Sequence, residues 1–246
     1  VLTQVADGVH RLEHAHVNVY LVEDETGLLL VDTGLPGAWR ALGEALRTLG
    51  HRPRDVVAVV LTHAHFDHTG NVARLRATLD VPVLAHPGDH WIAAHPYRYA
   101  HENPRALYPV RHPAALPILG SVLAAGAWRV PGVEGLDDLD PGADLPLPGS
   151  PRVVFSPGHT FGHCALHLPS RDVLLTGDAL VTLDPYTGGR GPQLVAGAAT
   201  ADSLLALRSL DALAATGAGT VLPGHGEPWT EGIRAAVDEA RAVGAH

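Results

Sequence analysis

One junction in the chain narrows the fold more than any other feature. Val56 to Leu61 is an unbroken apolar run, and it passes directly into Thr62-His63-Ala64-His65-Phe66-Asp67-His68. A run of that length, bounded by Asp55 and a polar cluster, suits a strand buried on both faces. His63, His65, Asp67 and His68 then place four metal-competent side chains within six residues. A loop at the end of a central strand is where an α/β sheet presents ligand-binding groups, because the scaffold there is rigid and side chains can converge. Neutral imidazole is a good ligand for zinc and related divalent ions, and a carboxylate adds charge compensation.

The chain on either side of that junction reads as two similar halves. Val5 to Glu13, Val17 to Glu23 and Leu28 to Asp32 are expected strands of a meander. Trp39, Leu42, Leu46 and Leu49 recur at helical steps before a stop at Gly50. A helix over Val72 to Leu79 and a strand over Val81 to Ala85 close the first half. The second half has expected strands at Arg152 to Ser156, Cys164 to Leu168, Asp172 to Thr176 and Thr220 to Leu222. Its expected helices run from Thr200 to Ala215 and from Thr230 to Val243. Two sheet-plus-helix halves imply an α/β layered sandwich with helices outside, one domain over residues 1–246. Residues 87–130 read as a mostly helical insertion, and Pro131 to Pro151 as a turn-rich connector.

Composition removes several function classes. Hydrophobic residues make up 46% of the chain and charged residues 17%, enough apolar material for a large core. The 17 Lys and Arg against 26 Asp and Glu give a net charge of −9, which offers no grip on phosphates, so nucleic acid is not an expected partner. No apolar run is long enough to span a bilayer, and the N-terminus has neither a basic region nor a long apolar one, so a cytoplasmic location without membrane contact is expected. The opening at Val1 leaves room for a removed leader. The single cysteine, Cys164, has no internal disulfide partner and reads as a small buried residue. The 17 histidines make metal chemistry the first thing to test.

Three later fragments turn the cluster into a site. Ser156-Pro157-Gly158-His159-Thr160, Thr176-Gly177-Asp178 and Leu222-Pro223-Gly224-His225-Gly226 each follow an expected strand. Each puts one potential ligand beside a glycine that lets the backbone turn sharply toward a shared centre. With these motifs in place, nearly the whole chain resembles the metallo-β-lactamase superfamily, and within it the dinuclear glyoxalase II-like and lactonase-like hydrolases. The resemblance implies a four-layer αββα sandwich with the metal site at one edge of the two sheets. It implies that His63, His65 and His159 hold a first metal, that Asp67, His68 and His225 hold a second, and that Asp178 bridges both. Asp67 and Asp178 are then also the expected catalytic carboxylates. Val31-Asp32-Thr33-Gly34 looks like the family's supporting element near the site, or else an ordinary strand-ending turn.

The chemistry expected of such a site is hydrolysis. Two divalent ions, expected to be Zn2+ with Fe or Mn as options, lower the pKa of a shared water toward neutrality and polarise the electrophile's oxygen, so no serine or cysteine nucleophile is required. A small ester, lactone or thioester is the expected substrate. S-lactoylglutathione is not the expected substrate, because glyoxalase II proper is similar over this region but uses a further C-terminal helical domain to bind glutathione and 21 residues follow His225 here; β-lactam cleavage is not expected either, because Asp178 stands where exported β-lactam hydrolases usually have no bridging aspartate. The alternative from another class is a mononuclear iron, persulfide dioxygenase-like oxidoreductase; β-lactam cleavage and non-catalytic metal binding are minor alternatives.

For substrate contacts, Trp91, Tyr97, Tyr99, Tyr108 and Trp128 place five of the chain's twelve aromatic residues in or beside the insertion. Their rings either wall a pocket for a small organic molecule or pack the insertion against the sandwich. Trp91 and Tyr97 are the candidates there. Tyr186 and Arg190, in the loop after Asp178, are placed to swing toward the metals, with Tyr186 as an oxyanion donor. His163 reads as a ligand-orienting or packing residue. His86, His90, His95, His101 and His112 lack tight ligand spacing, and His10, His14 and His16 read as solvated positions on one strand face.

Overall fold

The computed structural model describes residues 1–246. In chain order, the first half contains β1 (Leu2–Ala6), β2 (Val9–His14), β3 (Val17–Asp24), β4 (Gly27–Val31), α1 (Trp39–Thr48), β5 (Val56–Val60), α2 (Phe66–Thr69), α3 (Val72–Thr78) and β6 (Val83–Ala85). Helices α4 (Pro87–Ala94), α5 (Tyr108–Arg111) and α6 (Leu116–Ala124) follow, then the short β7 (Asp137–Asp138). The second half contains β8 (Arg152–Phe155), β9 (Cys164–Leu168), β10 (Val173–Gly177), β11 (Val181–Leu183), β12 (Arg190–Gln193), α7 (Ser203–Ala214), β13 (Thr220–Pro223) and α8 (Ile233–Val243). Strands β1 to β7 form one sheet in sequence order, and β13-β10-β9-β8 form the second. The first sheet is antiparallel from β1 to β4 and parallel from β4 to β7.

Alternation along the strands sorts the apolar side chains into three cores. On β4, Leu28 and Leu30 face α1 and α3, together with Leu42, Leu46 and Leu75. Leu29 and Val31 face the other way and meet Leu166, Leu168, Val173 and Leu175 of the second sheet. A third core joins Leu174 and Val221 to Leu210 and Leu213 of α7 and to Ile233 and Val237 of α8. Successive residues of a strand point to opposite faces, so each central strand serves two cores, and a fully buried Leu or Val stabilises the fold by roughly 1.5–3 kcal/mol. The layers are helix, sheet, sheet, helix. Strand β5 has the two-sided burial expected of it: Val56 and Val59 lie in the outer core and Ala58 and Val60 between the sheets.

Several boundaries differ from the sequence reading. Val5 to Glu13 is not one strand, because the chain reverses at Asp7-Gly8, where Gly8 has φ +58°, and Ala6 then pairs with Val9. Helix α7 begins at Ser203 rather than Thr200, because the Asp202 side chain accepts from the Leu205 amide at 2.8 Å and caps it there. Helix α8 begins at Ile233, after Gly232. The segment after Asp178 is an antiparallel hairpin of β11 and β12, whose alternation is too short to stand out in the sequence.

Candidate metal centre

Four loops bring the chemistry together at one edge of the sandwich. The segment after β5 carries His63, His65, Asp67 and His68; the β8–β9 loop carries His159; Asp178 follows β10 and His225 follows β13. Side-chain atoms of His63, His65 and His159 lie mutually within 4.8 Å, as do those of His63, His68 and Asp178 and those of Asp67, His68 and His225. Asp178 sits among them: its Oδ2 is 3.5 Å from His159 Nε2 and 3.2 Å from His225 Nε2, and its Oδ1 is 3.6 Å from His68 Nε2. Asp67 Oδ2 lies 3.3 Å from His225 Nε2. His63 Nε2, His68 Nε2 and Asp178 Oδ1 are buried with no hydrogen-bond partner. An orphaned buried polar atom costs about 1–3 kcal/mol. Several such atoms converging on one point are the arrangement a divalent cation satisfies, and the imidazole and carboxylate donor set suits zinc, iron or manganese.

Electrostatics divide the histidines of the cluster into two groups. Burial drives the pKa of His63 and His65 well below the ordinary imidazole value and that of His159 down to about 4, so these rings stay neutral, with His159 Nε2 and His65 Nδ1 2.9 Å apart. Burial also opposes charge on His225, but Asp178 and Asp67 outweigh it and lift its pKa to about 10. His68 is raised in the same way, by Asp178, Asp32 and Asp67 against burial. Burial alone would neutralise Asp178 and Asp67; the facing imidazoles overcome that and hold both carboxyls below the usual range. Both carboxylates therefore remain anionic in a buried place, balanced by protonated His68 and His225, whose protons a cation would have to displace.

A second layer of residues fixes each ring. Asp32 Oδ2 is 2.9 Å from His68 Nδ1 and accepts from Thr62 Oγ1 at 2.8 Å, while its Oδ1 accepts from the Thr62 amide at 2.8 Å. Asp32 holds φ +61°, a conformation L-residues rarely adopt, and these bonds to its carboxylate keep it there. Thr33 Oγ1 donates to the His68 carbonyl at 2.9 Å, so Val31-Asp32-Thr33-Gly34 supports the site rather than merely ending a strand. Thr200 Oγ1 lies 3.3 Å from His159 Nδ1. His163 Nε2 accepts from the amides of Asp178 at 3.0 Å and Ala179 at 3.2 Å, so it positions the aspartate through its backbone. Burial lowers the His163 pKa to about 3, which keeps that nitrogen an acceptor. A side chain at Gly224 would collide with Asp178 Oδ1, which is why only glycine fits beside His225.

Two supports carried no sequence signal that was read. Asp89, fully buried on α4, accepts from the Ala64 amide at 2.9 Å, from Thr160 Oγ1 at 2.7 Å and from the Gly162 amide at 2.9 Å. It clamps the His63–His68 loop to the His159 loop; its place just after β6, at a strand end, was the available clue. His16 acts through its carbonyl, which accepts from His225 Nδ1 at 2.7 Å. It occupies the β2–β3 turn at φ +64° rather than a strand face. His10 is also not solvated: it is buried, with Nε2 2.8 Å from Glu23 Oε1.

The expected substrate residues divide. Tyr186 borders a small cavity over the cluster together with Asp67, Asp178 and His225. Its hydroxyl is 3.5 Å from that of Tyr99, and burial keeps the phenol protonated. Trp91 lines an adjoining cleft. Tyr97 does not face that cleft: its hydroxyl donates to the Ala127 carbonyl at 3.0 Å and accepts from the Val130 amide at 2.7 Å, tying the insertion together. Arg190 opens β12, where hairpin pairing with Leu183 leaves it exposed and off both cavities. The insertion histidines serve locally, as when His86 Nδ1 caps α4 by accepting from the Gly88 amide at 3.0 Å. Cys164 lies between the sheets, and burial pushes its thiol up to about 12, so no thiolate is present.

A sequence model of the metallo-beta-lactamase superfamily matches residues 13–225, and the chain belongs to that superfamily. The probable metallo-hydrolase YflN of Bacillus subtilis (strain 168) is 29% identical over 246 aligned residues, covering 92% of this chain and 87% of YflN. An N-acyl homoserine lactonase of a Bacillus species is 26% identical over 194 residues, covering 68% of this chain and 65% of the lactonase. The crystal structure of TTHA1623 in a di-iron-bound form is 31% identical, with a TM-score of 0.60, covering 92% of this chain and 95% of that one. Membership establishes the metallo-β-lactamase fold and supports a metal-dependent hydrolase role. No helix is long and apolar enough to cross a membrane.

Proposed function

We propose that this chain is a dinuclear metallo-hydrolase that opens a small ester, lactone or thioester. The observation that carries the reading is the place of Asp178, whose two oxygens face His159, His225 and His68 from between the histidine groups. His63, His65 and His159 would hold one ion, Asp67, His68 and His225 the other, and Asp178 both. When bound, the ions supply a water acidified toward neutral pH and a Lewis acid for the carbonyl oxygen. The lactonase similarity adds support for a cyclic or open ester as substrate.

The protein's own residues do the rest. Asp32, Thr200 and the His16 carbonyl orient His68, His159 and His225, so that each presents its other nitrogen inward. Ionised Asp67 and Asp178 contribute the negative charge that favours cations. The neutral Tyr186 phenol, held over the cluster, donates a hydrogen bond to the substrate oxygen on which negative charge develops. Replacing it, Tyr186→Phe, should lower kcat about tenfold to a hundredfold with metal content intact; unchanged turnover would remove it from the mechanism.

The test is elemental analysis of protein purified without added metal, followed by metal restoration and turnover on a panel of thioesters and lactones. About two equivalents of zinc with restorable hydrolysis supports the reading. About one equivalent of iron, with oxygen uptake on a persulfide, replaces it with the oxidoreductase alternative.

A further inference from the structure

We infer that the substrate carries an apolar chain or ring that ends in an anionic group, held by Arg98; this rests on the hydrolase reading above. Beside the cluster lies a cleft whose lining includes His65, Tyr99 and His159, which also border the cavity under Tyr186, so two histidines of the cluster face it. Its walls are Trp91 and Ile92 of α4, Tyr99 and Phe161. Trp91 and Phe161 remain 55% and 52% exposed, an unusual placement for large rings with no covering segment. The one charged side chain in this lining is Arg98, and no carboxylate is among the lining residues.

Arg98 has no ion pair and no side-chain hydrogen bond, although the neighbouring Arg105 lies over the Tyr99 ring and donates to the Ala198 carbonyl at 3.0 Å. An arginine without a partner at the rim of an apolar cleft offers a carboxylate a forked, charge-assisted pair of hydrogen bonds. An ester or thioester bond at the cluster, an apolar body against Trp91 and Phe161, and an anionic end at Arg98 use every feature of the cleft. A purely aliphatic substrate would leave the guanidinium idle.

Adipate and hexanoate, matched in length and differing in one terminal carboxylate, are the probes. Their binding to the metal-loaded protein is read by calorimetry, and turnover of monophenyl adipate and phenyl hexanoate is read separately. Adipate should bind roughly tenfold more tightly than hexanoate. The ratio should fall close to one in Arg98→Gln, survive in part in Arg98→Lys and be retained in the remote control Arg40→Gln. Equal binding of the two acids, no binding of either, or a ratio untouched by Arg98→Gln overturns the inference. If the binding ratio holds but neither ester is cleaved, hydrolysis falls and the anionic subsite stands. If both esters are cleaved with equal kcat/KM and both acids bind equally, hydrolysis stands and the subsite falls.

Discussion

The ligand cluster and the cleft beside it lie against one another and are built in opposite ways. Most side chains of the cluster have a ring nitrogen or neighbouring backbone fixed by a residue distant in sequence; Asp32 reaches His68 across 36 residues, the His16 carbonyl reaches His225 across 209 and His163 holds the Asp178 amide. The cleft is walled by α4, by loop segments and by the exposed rings of Trp91 and Phe161, and its one free charge is unpaired. Binding ions demands donors held to within fractions of an ångström, so the cluster is over-determined. Discriminating among substrates needs only a shaped wall, which surface segments supply and can vary. Asp89 joins the two regions: it belongs to α4, the helix that carries Trp91, yet its carboxylate grips both ligand-bearing loops.

Substitutions that separate cluster from cleft should act in a definite order. Asp178→Ala removes the one side chain placed between the histidine groups; turnover should fall by roughly 10³-fold or more, and elemental analysis should show metal content falling with it. Asp32→Asn keeps the shape but disturbs the carboxylate facing His68 and Thr62. Metal affinity, measured by competition with a chromophoric chelator, should weaken about 10- to 100-fold. Asp89→Asn tests the joint: one acceptor oxygen is lost among three donors, costing about 1–3 kcal/mol, so the metal-free melting temperature should drop by roughly 3–10 °C. Trp91→Ala should raise KM for an apolar ester about threefold to tenfold while metal equivalents stay as in the parent protein. A fall in metal content in that last variant would dissolve the distinction between the two regions.

Much of the cluster was legible because the chemistry is local in sequence. HxHxDH after an apolar run, and a histidine or aspartate beside glycine after three further strands, state both the residue type and its position at a strand end. The layered fold was legible from the same strand and helix periodicities. What the sequence did not show was carried by backbone or by distant partners. The His16 carbonyl has no side-chain signature, and Asp89 resembles any acid near a helix start until its three donors are seen. Arg190 and Tyr186 are four residues apart, yet the β11–β12 pairing sends one to solvent and the other over the cluster.

The sequence by itself determined the donor set, the alternation that sorts side chains into three cores, and the superfamily those patterns belong to. These are one-dimensional properties, fixed by residue type and spacing. The tertiary structure alone decided which donors could share a centre, which groups orient them, and that an unpaired Arg98 lines an aromatic cleft together with His65 and His159. The physical reason is that hydrogen bonds and cavities depend on distances between segments tens to hundreds of residues apart, and those distances exist only once the two sheets have packed.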